Sequence, residues 1–161
     1  MDDKSSLNVK ALRAIIFGFS LFVGIILLVA ATGKIFFPVP SFVILERFVG
    51  LFEVLFCLVI FFLRNRWQLW LAAAVIFAGW EGFAFYWIKV KLPCPCMGAM
   101  LPMPKGFAAI LDLIFYFGSY ALAALLGAKR KFIYLSLISS LLAGLIGFAF
   151  ADLLLNLINK V

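Results

Sequence analysis

The sequence predicts an all-α, polytopic membrane protein that crosses the bilayer five times. Its 161 residues are 67% hydrophobic and 13% charged, and they include 20 phenylalanines. A soluble protein of this size has too little interior to bury so much apolar surface. The apolar residues also form five runs, each about long enough to span a bilayer. Because the chain length suits a single domain, we expect one transmembrane domain over residues 1–161.

Turn-forming and basic residues separate the predicted spans. Thr32-Gly33-Lys34 is typical of a helix C-terminus, with glycine in a left-handed cap and lysine beside the exposed carbonyl groups. Pro38 and Pro40 follow in a short connection, and basic residues end the second and fourth runs. The predicted spans are residues 14–31, 48–63, 68–88, 107–128 and 132–158.

The basic residues, which give a formal net charge of +7, lie between the apolar runs and indicate topology rather than nucleic-acid binding. Five spans place the termini on opposite sides of the membrane. Eight basic residues fall on the N-terminal side: Lys4, Lys10, Arg13, Arg64, Arg66, Lys129, Arg130 and Lys131. Six fall on the other side: Lys34, Arg47, Lys89, Lys91, Lys105 and Lys160. The positive-inside rule therefore predicts a bacterial inner-membrane protein with a cytoplasmic N-terminus and a periplasmic C-terminus.

Small residues in the last span recur every four positions, which predicts a face that packs closely against another helix. They form two series: Ser136, Ser140 and Gly144, and Ala143, Gly147 and Ala151.

Four acids fall inside the predicted spans: Glu53, Glu81, Asp112 and Asp152. At about 1.5 Å per helical residue, each lies about 9–12 Å from the outer edge of the membrane. A carboxylate at that depth costs several kcal/mol unless it is paired, hydrated or protonated. The acids therefore form either a structural polar cluster or a route for protons.

The positions of these acids along their helices predict different partners. Glu53 and Asp112 fall near predicted helix N-termini, where the helix dipole favours an anion. Glu81 and Asp152 fall near C-termini, so they need a proton or a cationic partner such as Lys34, Arg47 or a lysine of the loop that follows. Glu81 is the strongest functional candidate among them, because its span leads directly to a pair of cysteines.

That pair lies in residues 92–104, which contain two of the three cysteines and three of the four methionines. Cys94 and Cys96 flank Pro95, so a disulfide between them would close a small, strained ring that exchanges readily. Such a short ring has little closure entropy to remove, which argues against a purely structural disulfide. On the predicted topology the pair faces the oxidising periplasm. Cys57, the third cysteine, is deep in the second span and is expected to be a small buried apolar residue.

Two other functions fit the same loop. Thiolate and thioether ligands together select Cu(I), and the loop offers five of them: Cys94, Cys96, Met97, Met100 and Met103. The chain contains no histidine, which excludes histidine-ligated haem and the usual zinc sites. Alternatively, the loop is a docking element of a non-catalytic subunit in a larger membrane complex.

Three short motifs in this chain resemble those of the methylamine-utilisation protein MauE and its DoxX-like relatives. They are Ala31-Thr32-Gly33-Lys34 at the end of the first span, Glu53 early in the second span, and Cys94-Pro95-Cys96-Met97-Gly98 after the third span. The resemblance covers about residues 14–127 and implies a four-helix membrane bundle of the DoxX-like type, here with a fifth C-terminal helix. It also implies thiol–disulfide handling for exported proteins, with Cys94 and Cys96 as redox residues and Glu53 as the family's early glutamate. Met97 stands where phenylalanine is usual, and the Met-Pro segment after it is an addition.

The residues then predict a possible thiol–disulfide oxidoreductase with Cys94, Cys96, Glu81 and Glu53 as catalytic candidates. The only cysteine pair is on the outer side, so the chain alone cannot relay thiol exchange across the bilayer. Electrons must pass to or from a periplasmic thioredoxin-like protein, a disulfide-containing client, a second membrane protein or a quinone in the lipid. The buried acids would handle the accompanying protons.

Overall fold

A computed structural model of the protein describes residues 3–90 and 106–158, and these residues contain five α-helices and no β-strand. The helices are α1 (Asp3–Phe36), α2 (Val43–Leu63), α3 (Trp67–Lys89), α4 (Phe107–Leu125) and α5 (Arg130–Ile158), and a short 3-10 helix, Pro40–Phe42, precedes α2. The all-α prediction is therefore confirmed for this part of the chain. The predicted redox and copper residues Cys94, Cys96, Met97, Met100 and Met103 lie outside the described residues.

Four of the helices are long and apolar enough to cross a membrane, over Val9–Phe36, Trp67–Lys89, Phe107–Leu125 and Arg130–Asn156. Helix α2 is 21 residues long, but it carries three charged residues, Glu46, Arg47 and Glu53. Large apolar side chains such as Phe48 and Phe62 are exposed on its surface. These features indicate a membrane-embedded protein. That α2 also crosses the membrane, as the predicted span 48–63 requires, stays a prediction.

The helices pack as two hairpins with α5 added. Helix α1 lies along α2, α3 lies along α4, and α5 packs along α3. Short connections at residues 37–42 and 64–66 reverse the chain direction, so α1 ends and α2 begins at the end of the bundle where α3 ends and α4 begins. Residues 91–105 connect α3 to α4 at this end. We refer to it as the loop end.

Several helix boundaries differ from the predicted spans: α1 begins at Asp3 rather than residue 14, and α2 begins at Val43 rather than residue 48. Two C-terminal boundaries differ for identifiable reasons. Helix α1 continues through Gly33 to Phe36, and the N–H of Phe37 donates to the Gly33 carbonyl, so the predicted left-handed cap at Gly33 is wrong. Pro38, which has no N–H to continue the helix, follows instead. Helix α4 stops at Leu125 rather than residue 128, because Gly127 adopts a left-handed conformation with φ of 84°. The N–H of Ala128 then donates to the Ala123 carbonyl and closes the helix end.

Helices α3 and α5 approach each other most closely at their glycines. A Cβ atom on Gly82 would collide with the backbone of Gly144, and one on Gly147 would collide with the backbone of Gly79. Farther along the same contact, the Ser136 hydroxyl donates a 3.1 Å hydrogen bond to the Leu71 carbonyl. The small-residue face predicted for the last span is therefore confirmed, because only side chains this small allow the two backbones to touch.

The centre of the bundle is aromatic. Trp70, Phe77 and Phe115 are fully buried, and the rings of Phe77 and Phe115 lie 5.1 Å apart across the α3–α4 contact. Phe56 brings α2 into the same cluster through its contact with Phe77. Cys57 is buried beside it, with its sulfur 3.6 Å from the Gly24 carbonyl oxygen. The prediction that Cys57 is a buried core residue is confirmed.

Candidate functional site

A cavity of about 550 Å³ lies among the five helices, and every one of them contributes to its wall. Most of the wall is apolar or aromatic, with aromatic side chains from Phe42, Trp80, Phe83, Phe115 and Phe150. Four charged residues also line it: Lys34, Glu46, Glu53 and Asp112. We call these four the charged cluster.

The charged cluster comes from the half of the bundle near the loop end. Lys34 is in the last turn of α1, Glu46 is in the first turn of α2, and Asp112 is five residues into α4. Since α1 and α3 end and α2 and α4 begin at the loop end, the polar part of the cavity is on the side of the bundle where the last described residues of α3 and the first of α4 lie.

A buried ion pair joins α1 and α2 in this cluster. The Lys34 Nζ donates to Glu53 Oε1 at 2.5 Å, and both side chains are less than a tenth exposed. Gly50 allows this approach, because a Cβ at that position would lie 3.0 Å from the Ala31 carbonyl oxygen. Helix α2 begins at Val43, ten residues before Glu53, so the prediction that a helix N-terminus stabilises Glu53 is wrong. The stabilising partner is the ammonium group of Lys34.

Glu46 is the cluster residue that the sequence analysis missed. Its Oε2 accepts a 2.8 Å hydrogen bond from the backbone N–H of Val39, so it fixes the connection between α1 and α2. The spacing of Glu46 and Glu53 in the sequence could have indicated that both face the same way. Glu46 and Glu53 are seven residues apart and therefore lie on one helix face, together with the buried residues Gly50, Cys57 and Ile60. The predicted second span began at residue 48, so Glu46 fell in the connection before it, where helix periodicity does not apply.

Several buried carboxylate oxygens have no hydrogen-bond partner among the described residues. They are Glu46 Oε1, Glu53 Oε2 and both side-chain oxygens of Glu81. Glu46, Glu53 and Glu81 are 4%, 3% and 7% exposed. Buried polar atoms in proteins are almost always hydrogen-bonded, and an unsatisfied one costs about 1–3 kcal/mol. These oxygens are therefore available to bind a proton or a hydrogen-bond donor.

Three of the four predicted membrane acids come together in the structure. Asp112 lies within electrostatic range of Glu81, Lys34 and Glu53. Glu81, on α3, is buried and is not among the residues that line the cavity. Lys34, one of the predicted partners of Glu81, pairs with Glu53 instead, and Glu81 has no hydrogen-bond partner among the described residues. The lysines of the loop that were also predicted as partners lie outside the described residues, so a proton or a loop lysine on Glu81 stays a prediction. Asp112 lies beyond the first turn of α4, so its predicted stabilisation by the helix N-terminus is also not what the structure shows.

Asp152, the fourth acid, belongs to a separate contact between α3 and α5. The Tyr86 hydroxyl donates to Asp152 Oδ1 at 2.8 Å, and the Asn156 amide donates to Oδ2 at 3.3 Å. Its partners among the described residues are therefore neutral groups, and a proton or a lysine of the loop as the predicted partner stays untested. One turn farther along α3, Lys89 Nζ lies 5.2 Å from the centre of the Phe148 ring. These contacts attach the last turn of α3, which leads into the cysteine loop, to α5.

The described part of the chain contains no group of three or more cysteine, aspartate and glutamate side chains that could hold a metal ion. Comparisons with protein-family models, with curated proteins and with solved structures found no match for this chain. The resemblance to MauE and the DoxX-like proteins thus stays a prediction from short motifs.

Proposed function

We propose that the protein is a thiol–disulfide redox protein of the bacterial inner membrane whose Cys94–Cys96 pair exchanges disulfides with an exported client. The observation that supports this most directly is the position of the buried acids and Lys34 at the loop end. Glu81 is eight residues before Lys89, the last residue of α3, and Asp112 is five residues after Phe107, the first residue of α4. Both helices that flank the cysteine loop in sequence thus carry an acid, buried Glu81 or half-buried Asp112, in the half of the helix next to the loop end.

The proposed exchange is a balanced transfer between two sulfur pairs. A thiolate of one pair attacks the disulfide of the other, releases one of its sulfurs as a thiolate and forms a mixed disulfide with the other sulfur. The second thiolate of the attacking pair then attacks its own neighbour's sulfur in the mixed disulfide, which forms the new disulfide and releases the second sulfur of the other pair as a thiolate. One pair loses two electrons and two protons while the other pair gains them. The relative potential of the two pairs sets the direction of transfer. Glu81 and Asp112 would accept and return protons as the thiols ionise and reform.

The proposed topology has a cytoplasmic N-terminus and a periplasmic cysteine loop. It rests on the distribution of basic residues, with the clusters at 64–66 and 129–131 on the cytoplasmic side. The client would then be an exported disulfide-containing protein, or a periplasmic thioredoxin-like protein. After each exchange, the Cys94–Cys96 pair would be returned to its starting redox state by a periplasmic thioredoxin-like protein, a second membrane protein or a quinone. The motif resemblance to MauE and the DoxX-like proteins, which implies a four-helix bundle plus the additional α5, supports the same function.

The test is a thiol-counting experiment on purified protein in lipid nanodiscs. After mild oxidation and after mild reduction, free thiols are labelled with a maleimide that adds a resolvable mass. We expect two thiols to appear and disappear together. Cys57 provides the internal control, since it is buried and should not react until the protein is unfolded.

A Cys94→Ser variant extends the test to the client. With Cys94 replaced, Cys96 cannot resolve a mixed disulfide, so covalent complexes with periplasmic proteins should accumulate and dissolve on reduction. A Cys57→Ser variant should behave like the unmodified protein in both experiments. If Cys94 and Cys96 stay inert to both oxidant and reductant in the folded protein, the proposed function is wrong.

A further inference from the structure

We infer that the 550 Å³ cavity is a binding site for an amphipathic molecule with an ammonium head group. This inference goes beyond the proposed redox function and does not depend on Cys94 or Cys96. It rests on the size of the cavity, the chemistry of its wall, and the unsatisfied atoms of two side chains that line it.

The cavity has the dimensions and lining of a ligand site. Small-molecule sites in proteins are typically about 300–1,000 Å³, mostly apolar, with a few polar groups that orient the ligand. This cavity matches both features, because its charged residues are confined to Lys34, Glu46, Glu53 and Asp112. The apolar wall would receive a hydrocarbon or ring portion.

The charge of the cluster selects the head group. Three carboxylates and one ammonium group line the cavity, and Lys34 is already paired with Glu53. Among the described residues of the wall, no second cation is present for Glu46 and Asp112. A ligand with a carboxylate or phosphate head would be repelled, whereas a cationic head would balance the surplus of acids.

Two buried carboxylate oxygens without hydrogen-bond partners also favour a cationic head group. Glu46 Oε1 and Glu53 Oε2 are buried, lack a partner among the described residues, and belong to side chains that line the cavity. Both atoms are hydrogen-bond acceptors when ionised. An oxidised quinone offers only carbonyl acceptors and cannot satisfy them, but an ammonium group offers up to three N–H donors.

The aromatic part of the wall favours a cation as well. Trp80, Phe83 and Phe150 come from α3 and α5, and Phe115 comes from α4. The faces of such rings attract ammonium groups, an effect that grows where water is excluded. The site therefore combines acceptors, negative charge and ring faces in one apolar enclosure.

The experiment measures the quenching of Trp80 by three matched probes in nanodiscs of neutral phosphatidylcholine. The probes are bromoundecylammonium, bromoundecanol and bromoundecanoate, which differ only in the head group. Quenching in a Trp80→Phe variant, which reports the other tryptophans and simple lipid partitioning, is subtracted. We expect the ammonium probe to bind about tenfold or more tightly than either of the others, a difference of about 1.4 kcal/mol.

Variants locate the site. Glu46→Gln should weaken binding of the ammonium probe about tenfold while leaving the alcohol probe unchanged. A Lys34→Met/Glu53→Gln variant removes one positive and one negative charge together and should weaken binding less than Glu46→Gln does, because Glu46 and Asp112 are kept and the new amide still offers an acceptor oxygen. Asp152→Asn, outside the cavity, is the matched control and should change nothing. A Cys94→Ser/Cys96→Ser variant should bind normally, which separates this inference from the redox proposal.

Three results would overturn the inference. The first is equal binding of the ammonium and carboxylate probes. The second is unchanged affinity in a folded Glu46→Gln variant. The third is a short-chain oxidised quinone that quenches Trp80 more strongly than the ammonium probe, which would identify the cavity as a quinone site.

Discussion

Replacing Lys34 with methionine tests the buried ion pair that organises the charged cluster. Lys34 and Glu53 are 6% and 3% exposed, so the substitution leaves a carboxylate without its partner in an apolar environment. Removing one member of a buried pair typically costs about 3–5 kcal/mol. Because Glu53 Oε2 already lacks a partner among the described residues, no second hydrogen bond compensates for the loss of the one to Oε1. We therefore expect the free energy of unfolding to fall by about 3–5 kcal/mol.

The assay is reversible unfolding in mixed micelles with increasing SDS, followed by tryptophan fluorescence. The destabilisation should shrink as the pH is lowered, because protonation of Glu53 removes the unpaired charge. Adding Glu53→Gln to Lys34→Met should recover most of the loss, since an ion pair replaced as a unit is often close to neutral. Lys89→Met is the matched control. Its ammonium group contacts only the Phe148 ring among the described residues, and such a contact is worth about 0.5–1 kcal/mol at an exposed site.

This reasoning would be refuted if the effects of Lys34→Met and Glu53→Gln on the free energy of unfolding simply added. If the two substitutions destabilise the protein independently, with a coupling energy below about 0.5 kcal/mol, then Lys34 and Glu53 do not act as a pair. A Lys34→Met variant as stable as the unmodified protein at neutral pH would have the same meaning.

Two further predictions concern the packing of α5 and the sulfur loop. Gly82→Ala should lower the free energy of unfolding by about 1–3 kcal/mol in the same assay, because the added methyl group meets the backbone of Gly144. Gly18→Ala is the control, because a Cβ at position 18 meets nothing within 4 Å, and it should be neutral or slightly stabilising. If Gly82→Ala and Gly18→Ala change the free energy of unfolding equally, the close α3–α5 contact is contradicted. The copper alternative predicts that the protein binds Cu(I), which competition with a chromophoric chelator would measure. Replacing Met97, Met100 and Met103 together with leucine should abolish this binding. Unchanged Cu(I) affinity in that variant would eliminate copper handling by this loop.

Periodicity and hydropathy predicted the helices because both depend on local sequence. Runs of apolar residues interrupted by Arg64-Asn65-Arg66 or by prolines specify where a helix begins and ends with little help from distant residues. The small-residue spacing in α5 was equally informative, since only a helix packed against another backbone requires glycine at positions 144 and 147. Two helix C-termini were predicted wrongly. Gly33 was predicted to cap the first helix, which in fact continues past it, and α4 ends three residues before the predicted residue 128 because Gly127 adopts a left-handed conformation.

The partners of the charged residues were not predictable in the same way. Lys34 was available to Glu53, Glu81 and Asp152 on sequence grounds, and its pairing depends on which helix lies beside α1. Tyr86 as the partner of Asp152 depends likewise on the contact of α3 with α5. Glu46 entered the cluster only because α2 begins at Val43 and turns it toward the cavity.

The sequence by itself determined that this is a helical membrane protein, that four acids lie inside its apolar helices, and that Cys57 is a core residue. These properties follow from composition and from the 3.6-residue helical repeat, which are carried by neighbouring residues in the chain. Only the tertiary structure decided that Lys34 neutralises Glu53, that Glu46 and Asp112 line the same cavity, and that Asp152 lies elsewhere. Those arrangements arise from helices distant in sequence, and their geometry is determined by how closely glycines such as Gly50 and Gly82 let the backbones approach.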